Sequence, residues 1–304
     1  MKLQLIIPTY NAERYWDKLY LSIKEQTIKF CVIVIDSSST DGTVKLAKQA
    51  GFTVHSIEKS SFDHGGARNQ ATKWVDEDCE FIVFMTQDAI LASSTAIETL
   101  LSPFADPAVV AVCGRQLPHQ NAAPFATHAR LFNYPNHSIT KSQADIPILG
   151  IKCAFMSNSF AAYRKSVFDK LGGFPEKTIL AEDMHLAARM ILLGYKVAYC
   201  AEACVYHSHN YSIKQEFQRY FDTGVFQQHE SWIQEKFGKA SNEGKKFVLS
   251  EWRYLAKHAP LLLPKAFIAT FAKWLGFKLG YHWQRLPMAL CIAFSMHKDY
   301  WKTK

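Results

Sequence analysis

Short apolar runs rich in β-branched and aromatic residues alternate with segments of helical period through the first hundred residues of the chain. The strand-like runs cover residues 3–7, 31–35, 52–57 and 81–85, with 109–113 following, and helical patterns occupy 12–26, 43–50, 66–76 and 94–101. Apolar strands separated by helices predict an α/β fold with a mainly parallel, doubly wound sheet covered on both faces. The second half is less regular. Residues 119–150, bordered by Pro118 and carrying Pro124, Pro135 and Pro147, predict loop and short helix, then 154–163 a strand and 164–171 a helix. A helix opening at Glu182 is expected to turn Leu186, Met190 and Leu193 inward and to stop at Gly194. A strand at 196–200 and a short apolar run ending at His207 follow.

In an open parallel sheet, ligands bind beyond the carboxyl ends of the strands, so the residues just after each strand carry the candidate chemistry. Pro8-Thr9-Tyr10-Asn11 follows the first strand, and the second ends on Asp36 and runs on to Asp41-Gly42-Thr43. A capped turn accounts for Asp41 and Gly42. It gives no reason for Asp36, which is expected to face the cleft as an acceptor for a pyrimidine ring N–H. Beyond the third strand, Gly65 and Gly66 permit close backbone approach at a helix start, where N–H groups and Arg68 are placed to meet a diphosphate. Thr86-Gln87-Asp88-Ala89 then delivers a carboxylate to the same edge. A base acceptor, a phosphate clamp and an oxygen ligand for Mg²⁺ or Mn²⁺ therefore share one cleft, with His207 as a further ligand. Glu182 and Asp183 are about 100° apart around their helix, so only one can serve as base at a given point. Two acids that merely favour a helix N-terminus are the plainer alternative. The chain has no Gly-x-Ser-x-Gly turn, and no glycine- and lysine-rich loop after the first strand, which sets aside serine hydrolases and nucleotidyltransferases.

Taken in order, Ile7-Pro8-Thr9-Tyr10-Asn11, Asp36 with Asp41-Gly42-Thr43, and Glu182-Asp183 after Gly172-Gly173-Phe174 resemble the family-2 glycosyltransferases, which adopt the GT-A fold and invert configuration. The resemblance runs from residue 3 to about residue 210. Within that family, Phe62-Asp63-His64-Gly65-Gly66-Ala67-Arg68-Asn69 together with Thr86-Gln87-Asp88-Ala89 is similar to the bacterial rhamnosyltransferases that use dTDP-L-rhamnose. It implies a GT-A domain over 1–210, with a Rossmann-like nucleotide-sugar half at 1–115 and an acceptor and catalytic half at 116–210. It also implies Pro8, Thr9, Tyr10, Asn11, Asp36, Asp41, His64, Gly65, Arg68 and Gln87 at the nucleotide sugar, Asp88 and His207 on the metal, and Asp183 as base. Glu182 and His209 are implied in supporting positions. The activity implied is inverting transfer of rhamnose to a lipid-linked glycan of a surface polysaccharide. A UDP-hexose donor, or an inactive sugar-nucleotide-binding relative, is the alternative. The family's usual Asp-x-Asp is reduced here to Thr86-Gln87-Asp88, which leaves one carboxylate for the metal.

Charge changes the picture at the C-terminus. The net charge is +8, yet residues 1–244 carry 24 Lys and Arg against 25 Asp and Glu, while 245–304 carry 11 against 2. Those cations, Lys265, Lys273, Lys278 and Arg285 among them, are interleaved with Phe267, Phe271, Trp274, Phe277, Tyr281 and Trp283, a mixture that suits an anionic membrane surface better than nucleic acid. The longest charge-free run there, 286–297, has 12 residues, short of the roughly 20 that cross a bilayer. Residues 211–304 are thus expected to form a helical, basic, membrane-surface region, the other reading being a helical pair packed on the domain with a solvated basic face. Seven scattered cysteines in apolar runs, no zinc-finger spacing around Cys200 and Cys204, and an N-terminus without a leader pattern predict a cytoplasmic protein lying peripherally on the inner face of the plasma membrane.

Overall fold

Alternation along each strand decides which core a side chain joins. In the computed structural model, which describes residues 2–238 and 241–302, Leu3, Leu5 and Ile7 fall on one sheet face with Val32, Val34, Phe81, Val83 and Met85. Ile6, Ile33, Ile35, Ile82 and Phe84 fall on the other. The strands are β1 (Leu3–Thr9), β2 (Cys31–Asp36), β3 (Thr53–Ser56), β4 (Phe81–Met85), β5 (Ile90–Leu91), β6 (Val109–Leu117), β7 (Ile139–Lys141), β8 (Phe160–Arg164) and β9 (Lys196–Tyr206). They form one sheet in the order β3-β2-β1-β4-β8-β6-β9-β5, with β7 paired to β9.

The first half is parallel, as expected. Beyond β4 the sheet becomes mixed, because β8 runs antiparallel between β4 and β6, and β5 and β7 run antiparallel on β9. This arrangement brings the carboxyl ends of β1, β2, β4, β6 and β9 to one edge, together with the amino ends of β8 and β5. All the candidate chemistry lies there. Pairing of Ile90 with Tyr206 sets Asp88 against the segment that follows β9.

Several boundaries differ from the pattern-based expectation. The run at 154–163 becomes strand only from Phe160, since Gly150–Ala154 winds into a short 3₁₀ turn. The two expected strands at 196–200 and before His207 are one, β9, interrupted by a bulge where pairing with β6 jumps from Gly114–Cys200 to Arg115–Cys204. Leu193 is not on the inner face. It lies past the last turn of the Glu182–Leu192 helix and is 60% exposed, whereas Leu186 and Met190 are buried.

The C-terminal region is helical: Ile213–His229, Ser231–Phe237, Ser241–His258, Leu263–Tyr281, Met288–Phe294 and Lys298–Lys302. Phe221, Val225, Cys291 and Trp301 enter the same core cluster as Leu186 and Met190, so these helices are built onto the sheet. The Leu263–Tyr281 and Ile213–His229 helices touch backbone to backbone: a Cβ on Gly276 would stand 2.3 Å from the Phe217 carbonyl oxygen, and one on Gly280 1.9 Å from that of Phe221. Lys273, expected to meet lipid phosphates, is instead buried on this packed side and paired with Glu251 at 3.2 Å. Phe277, Tyr281 and Trp283 are half-buried. Phe267, Phe271 and Trp274 are 65%, 55% and 54% exposed, with Leu261 and Ile268 beside them. No helix among the described residues is long and apolar enough to cross a membrane.

Gly280→Ala tests the helix contact. Alanine improves helix propensity by about 1 kcal/mol, but forcing a methyl against a carbonyl costs about 3 kcal/mol where backbone must move. The expected outcome is a net loss of about 2 kcal/mol, read as a melting temperature several degrees lower. An unchanged melting temperature would show that the helices slide apart freely.

Candidate active site

At the shared strand edge lies a cleft of about 360 Å³ whose walls include Pro8, Thr9, Tyr10, His64, Arg68, Gln87, Asp88, His207 and His209. Asn11, Asp36, Asp41, Gly65, Glu182 and Asp183 are not among the residues that line it. Asp36 corrects an expectation: rather than facing the cleft it is buried, its carboxylate accepting from the Thr9 hydroxyl at 2.9 Å, the Ser39 hydroxyl at 2.5 Å and the Ser39 N–H at 2.8 Å. It braces the ends of β1 and β2. Asp41 accepts from Thr43 and from the Glu13 N–H, and Asn11, at φ 47°, accepts from the Thr40 N–H, so both shape the turn. Gly65 also serves packing, since a Cβ there would stand 2.0 Å from the Pro175 carbonyl oxygen. Tyr10 and Gln87 are tied by a reciprocal pair, Tyr10 N–H to Gln87 Oε1 at 2.7 Å and Gln87 Nε2 to Tyr10 O at 3.1 Å.

Asp88, His207 and His209 each bring a ligand atom within 4.8 Å of the others. His207 Nε2 is 3.3 Å from Asp88 Oδ1 and His209 Nε2 is 3.6 Å from Oδ2, so His209 stands beside His207 rather than behind it. Thr86 occupies the place of the missing acid. Burial opposes ionisation of Asp88, but the hydrogen bond and charge of His207, with His209 and Thr86 added, hold its carboxyl well below the usual carboxylate range. His207 Nδ1 lies 2.8 Å from Gln116 Oε1. Gln116 is itself oriented, since its Nε2 donates to Ser157 at 2.8 Å and its Oε1 accepts from Arg130. With Nδ1–H bound to that oxygen, Nε2 faces the cluster, where it donates to Asp88 when protonated and would offer its lone pair to an ion that displaces that proton. This is how a metal-ligating histidine is usually oriented, and the donor set fits a divalent ion.

Arg68, 5% exposed, donates to the His64 carbonyl at 2.9 Å and pairs with Glu182 Oε1 at 3.1 Å, while its Nε has no partner among the described residues. Glu182 also accepts from Asn158 Nδ2 at 3.0 Å. The pair splits the two acids. Burial raises Glu182, but Arg68 and His64 outweigh it and keep its carboxyl low, whereas burial and the Glu182 charge together push Asp183 upward. Asp183 accepts from the Asn158 N–H at 2.9 Å and the Met184 N–H at 2.7 Å, which leaves one lone pair on each oxygen. Ala181 takes a left-handed conformation, φ 60° and ψ 35°, to start this helix.

The Glycosyl transferase family 2 profile matches residues 4–172, and the chain is 59% identical over 304 residues to the O-antigen chain rhamnosyltransferase RfbN of Salmonella typhimurium, covering 99% of this chain and 96% of that protein. The chain belongs to glycosyl transferase family 2. It is also 56% identical over 299 residues to the O-antigen chain rhamnosyltransferase WbaN of Salmonella anatum, covering 98% and 95%. Its fold is similar to that of a mannosyltransferase from Pyrobaculum calidifontis in complex with GDP-Man and Mn²⁺, with a TM-score of 0.59 at 21% identity over 99% of this chain and 82% of that one. It is similar too to Staphylococcus aureus TarS in complex with UDP-GlcNAc, with a TM-score of 0.56 at 17% identity over 94% and 92%. As a family 2 glycosyltransferase the chain carries Arg68 and Asp88 inside the matched segment, and Asp183, His207 and His209 beyond it.

Four residues of this glycosyltransferase site went unnoticed in the sequence. Asn158 touches both acids and accepts from the Tyr163 hydroxyl at 2.8 Å; the polar triplet 157–159 inside an apolar run was the available signal. Gln116 and Arg130 lie far from His207 in sequence and carry no motif. His297, from the C-terminal helices, reaches His64 at 3.4 Å. Burial and then His64 depress it to about 3, so both rings meet as neutral imidazoles.

Gln116→Leu removes the acceptor that orients His207 and leaves the three ligand residues in place. Calorimetric titration with Mn²⁺ is expected to show binding weakened roughly 10- to 100-fold. Equal affinity would mean that His207 is held by other contacts.

Proposed function

We propose that this glycosyltransferase moves L-rhamnose from dTDP-L-rhamnose, with inversion, onto a lipid-linked glycan acceptor in the synthesis of a bacterial surface polysaccharide. The observation that carries the sugar is the near full-length identity to two O-antigen chain rhamnosyltransferases. The cleft supports the chemistry. Tyr10 and Gln87 line its nucleotide side, Arg68 presents a guanidinium with an unpaired Nε, and Asp88, His207 and His209 converge at the diphosphate. Mg²⁺ or Mn²⁺ would be held by these three, the imidazoles favouring Mn²⁺, and when bound it supplies positive charge for the leaving diphosphate. Asp183 takes the proton of the acceptor hydroxyl on one of its remaining lone pairs, and Glu182 keeps Arg68 in place and raises the basicity of Asp183. A direct competition between dTDP-L-rhamnose and UDP-glucose for transfer to a lipid-linked acceptor tests the reading. Rhamnose is expected in the product; preference for the UDP-hexose, or donor binding without turnover, overturns it.

The second part of the proposal places the protein peripherally on the inner, cytoplasmic face of the plasma membrane. Phe267, Ile268, Phe271 and Trp274 repeat at helical spacing on the exposed face of the Leu263–Tyr281 helix, with Lys265 and Lys278 exposed on the same helix. An apolar stripe flanked by lysines suits an anionic headgroup boundary.

For catalysis, Asp183→Asn is expected to lower the transfer rate roughly 10²- to 10⁴-fold with donor affinity nearly kept. Because the base must be ionised and its carboxyl is raised, the rate of the unaltered enzyme should fall, as pH drops, well above the pH near 4 where a free carboxylate protonates. A flat rate down to pH 5 would remove Asp183 from the role. For the membrane, Phe271→Ser with Trp274→Ser withdraws about 3 kcal/mol of apolar burial, so sedimentation with anionic vesicles should weaken roughly 100-fold. Undiminished sedimentation would leave this face a solvated one. Point variants are the suitable probe, since removing the C-terminal helices would also remove Phe221, Trp301 and His297 from core and cleft.

A further inference from the structure

A second, larger cavity, about 510 Å³, opens between the Pro124–Asn133 and Ser241–His258 helices and shares no residue with the donor cleft. We propose that this groove binds the phosphate-bearing head of the acceptor, a diphosphate ester carried on an apolar chain. The inference rests on the lipid-linked acceptor class proposed above and assigns it a place on the protein.

Charge comes first. Arg253 and Lys257, four residues apart on one helix face, line the groove with exposed side chains, and neither has a carboxylate partner among the described residues. Lys257 and His258 lie in the last turn of their helix, where cations are favoured in any protein. That preference does not extend to Arg253, a full turn earlier.

The second observation is independent of charge. His128, 3% exposed, has Nε2 2.9 Å from the Ser250 hydroxyl and an Nδ1 with no partner among the described residues. Buried polar atoms are rarely left so. Burial, with Lys273 nearby, depresses His128 to about 4, so the ring is neutral and offers one N–H. In the tautomer in which the Ser250 hydroxyl donates to Nε2, the N–H lies on Nδ1, an unpaired donor for a phosphate oxygen.

The remaining lining is apolar or aromatic: Leu131, Phe132 and Tyr254. Two contacts join the helices that form the groove to the helix that bears the exposed stripe, Trp252 with its ring centroid 6.2 Å from that of Phe267, and Lys265 Nζ 5.8 Å from the Phe125 centroid. A chain leaving the groove therefore continues along the face proposed to meet lipid. On the helix that carries His128, Arg130 points the other way and holds Gln116 behind His207. Two residues are about 200° apart around a helix, so the groove and the Gln116–His207 pair lie on opposite sides of this helix, whose diameter is roughly 10 Å. A glycan attached to the bound diphosphate has a short path round that helix to the cleft.

The test uses the full chain, decyl diphosphate, inorganic diphosphate and phosphatidylglycerol vesicles, against the double variant Arg253→Gln, Lys257→Gln. Both residues are exposed, so folding is expected to survive. Lys257→Arg, which keeps the charge, is the conservative control. Calorimetry should show decyl diphosphate bound by the unaltered chain and by Lys257→Arg, but at least roughly ten-fold more weakly by the double variant, with dTDP binding unchanged. KM for a lipid-linked acceptor should rise by a similar factor while kcat holds. Equal decyl diphosphate affinity in the double variant overturns the proposal. Equal affinity for inorganic and decyl diphosphate also overturns it, by making the groove a site for a free anion. So does a variant that loses vesicle binding alone, which would assign the cations to bulk lipid headgroups. If rhamnosyl transfer fails but variant-sensitive decyl diphosphate binding is found, the groove stands and the donor reading falls.

Discussion

Arg68 and Glu182, both about 95% buried, meet at 3.1 Å between the helix that follows β3 and the helix that precedes β9. Neither charge is tolerable alone at that depth, and removing one partner of such a pair typically costs about 3–5 kcal/mol. The contact therefore clamps the two halves of the protein across the sheet edge. It also sets the state of the acids around it: Arg68 keeps Glu182 low, Glu182 raises Asp183, and Asn158 bridges the two acids from the turn just before β8. An arginine expected to act on substrate alone turns out to pair with Glu182 and, through it, to bear on Asp183.

The ligand cluster follows a similar economy of donors. With Thr86 in place of an acid, a single carboxylate remains, and two imidazoles from the segment after β9 stand where further oxygen ligands would be. Their presentation depends on Gln116, whose amide is pinned by Ser157 and Arg130 and whose oxygen fixes the His207 tautomer. Three segments distant in sequence converge on one ring nitrogen.

The C-terminal helices combine two properties that compete in a purely solvated appendage. One side of the Leu263–Tyr281 helix is cut back to glycine and alanine so that its backbone lies against the Ile213–His229 helix, and the buried Lys273–Glu251 pair ties it to the Ser241–His258 helix. The opposite side shows Phe267, Phe271 and Trp274. The packing expected of a helical pair is met on one face, and the other is the face proposed above to meet the membrane.

The alternating apolar runs of the first hundred residues determined the parallel half of the sheet, because strands buried on both faces must be apolar throughout, and they placed Tyr10, Arg68, Gln87 and Asp88 at one edge. The order of motifs was enough to place the chain in its family. Four things were decided only by tertiary structure. Asp36 looked like a free acceptor because its hydrogen-bond donors, Thr9 and Ser39, reach it only once β1 and β2 are paired. Lys273 read as one more surface lysine because helical spacing does not say which face meets a neighbour. The splitting of Glu182 from Asp183, and the partnership of Gln116 with His207, arise from charge and hydrogen bonding across long separations in the chain. A sequence records the type of each group, but its protonation and orientation depend on what folding sets beside it.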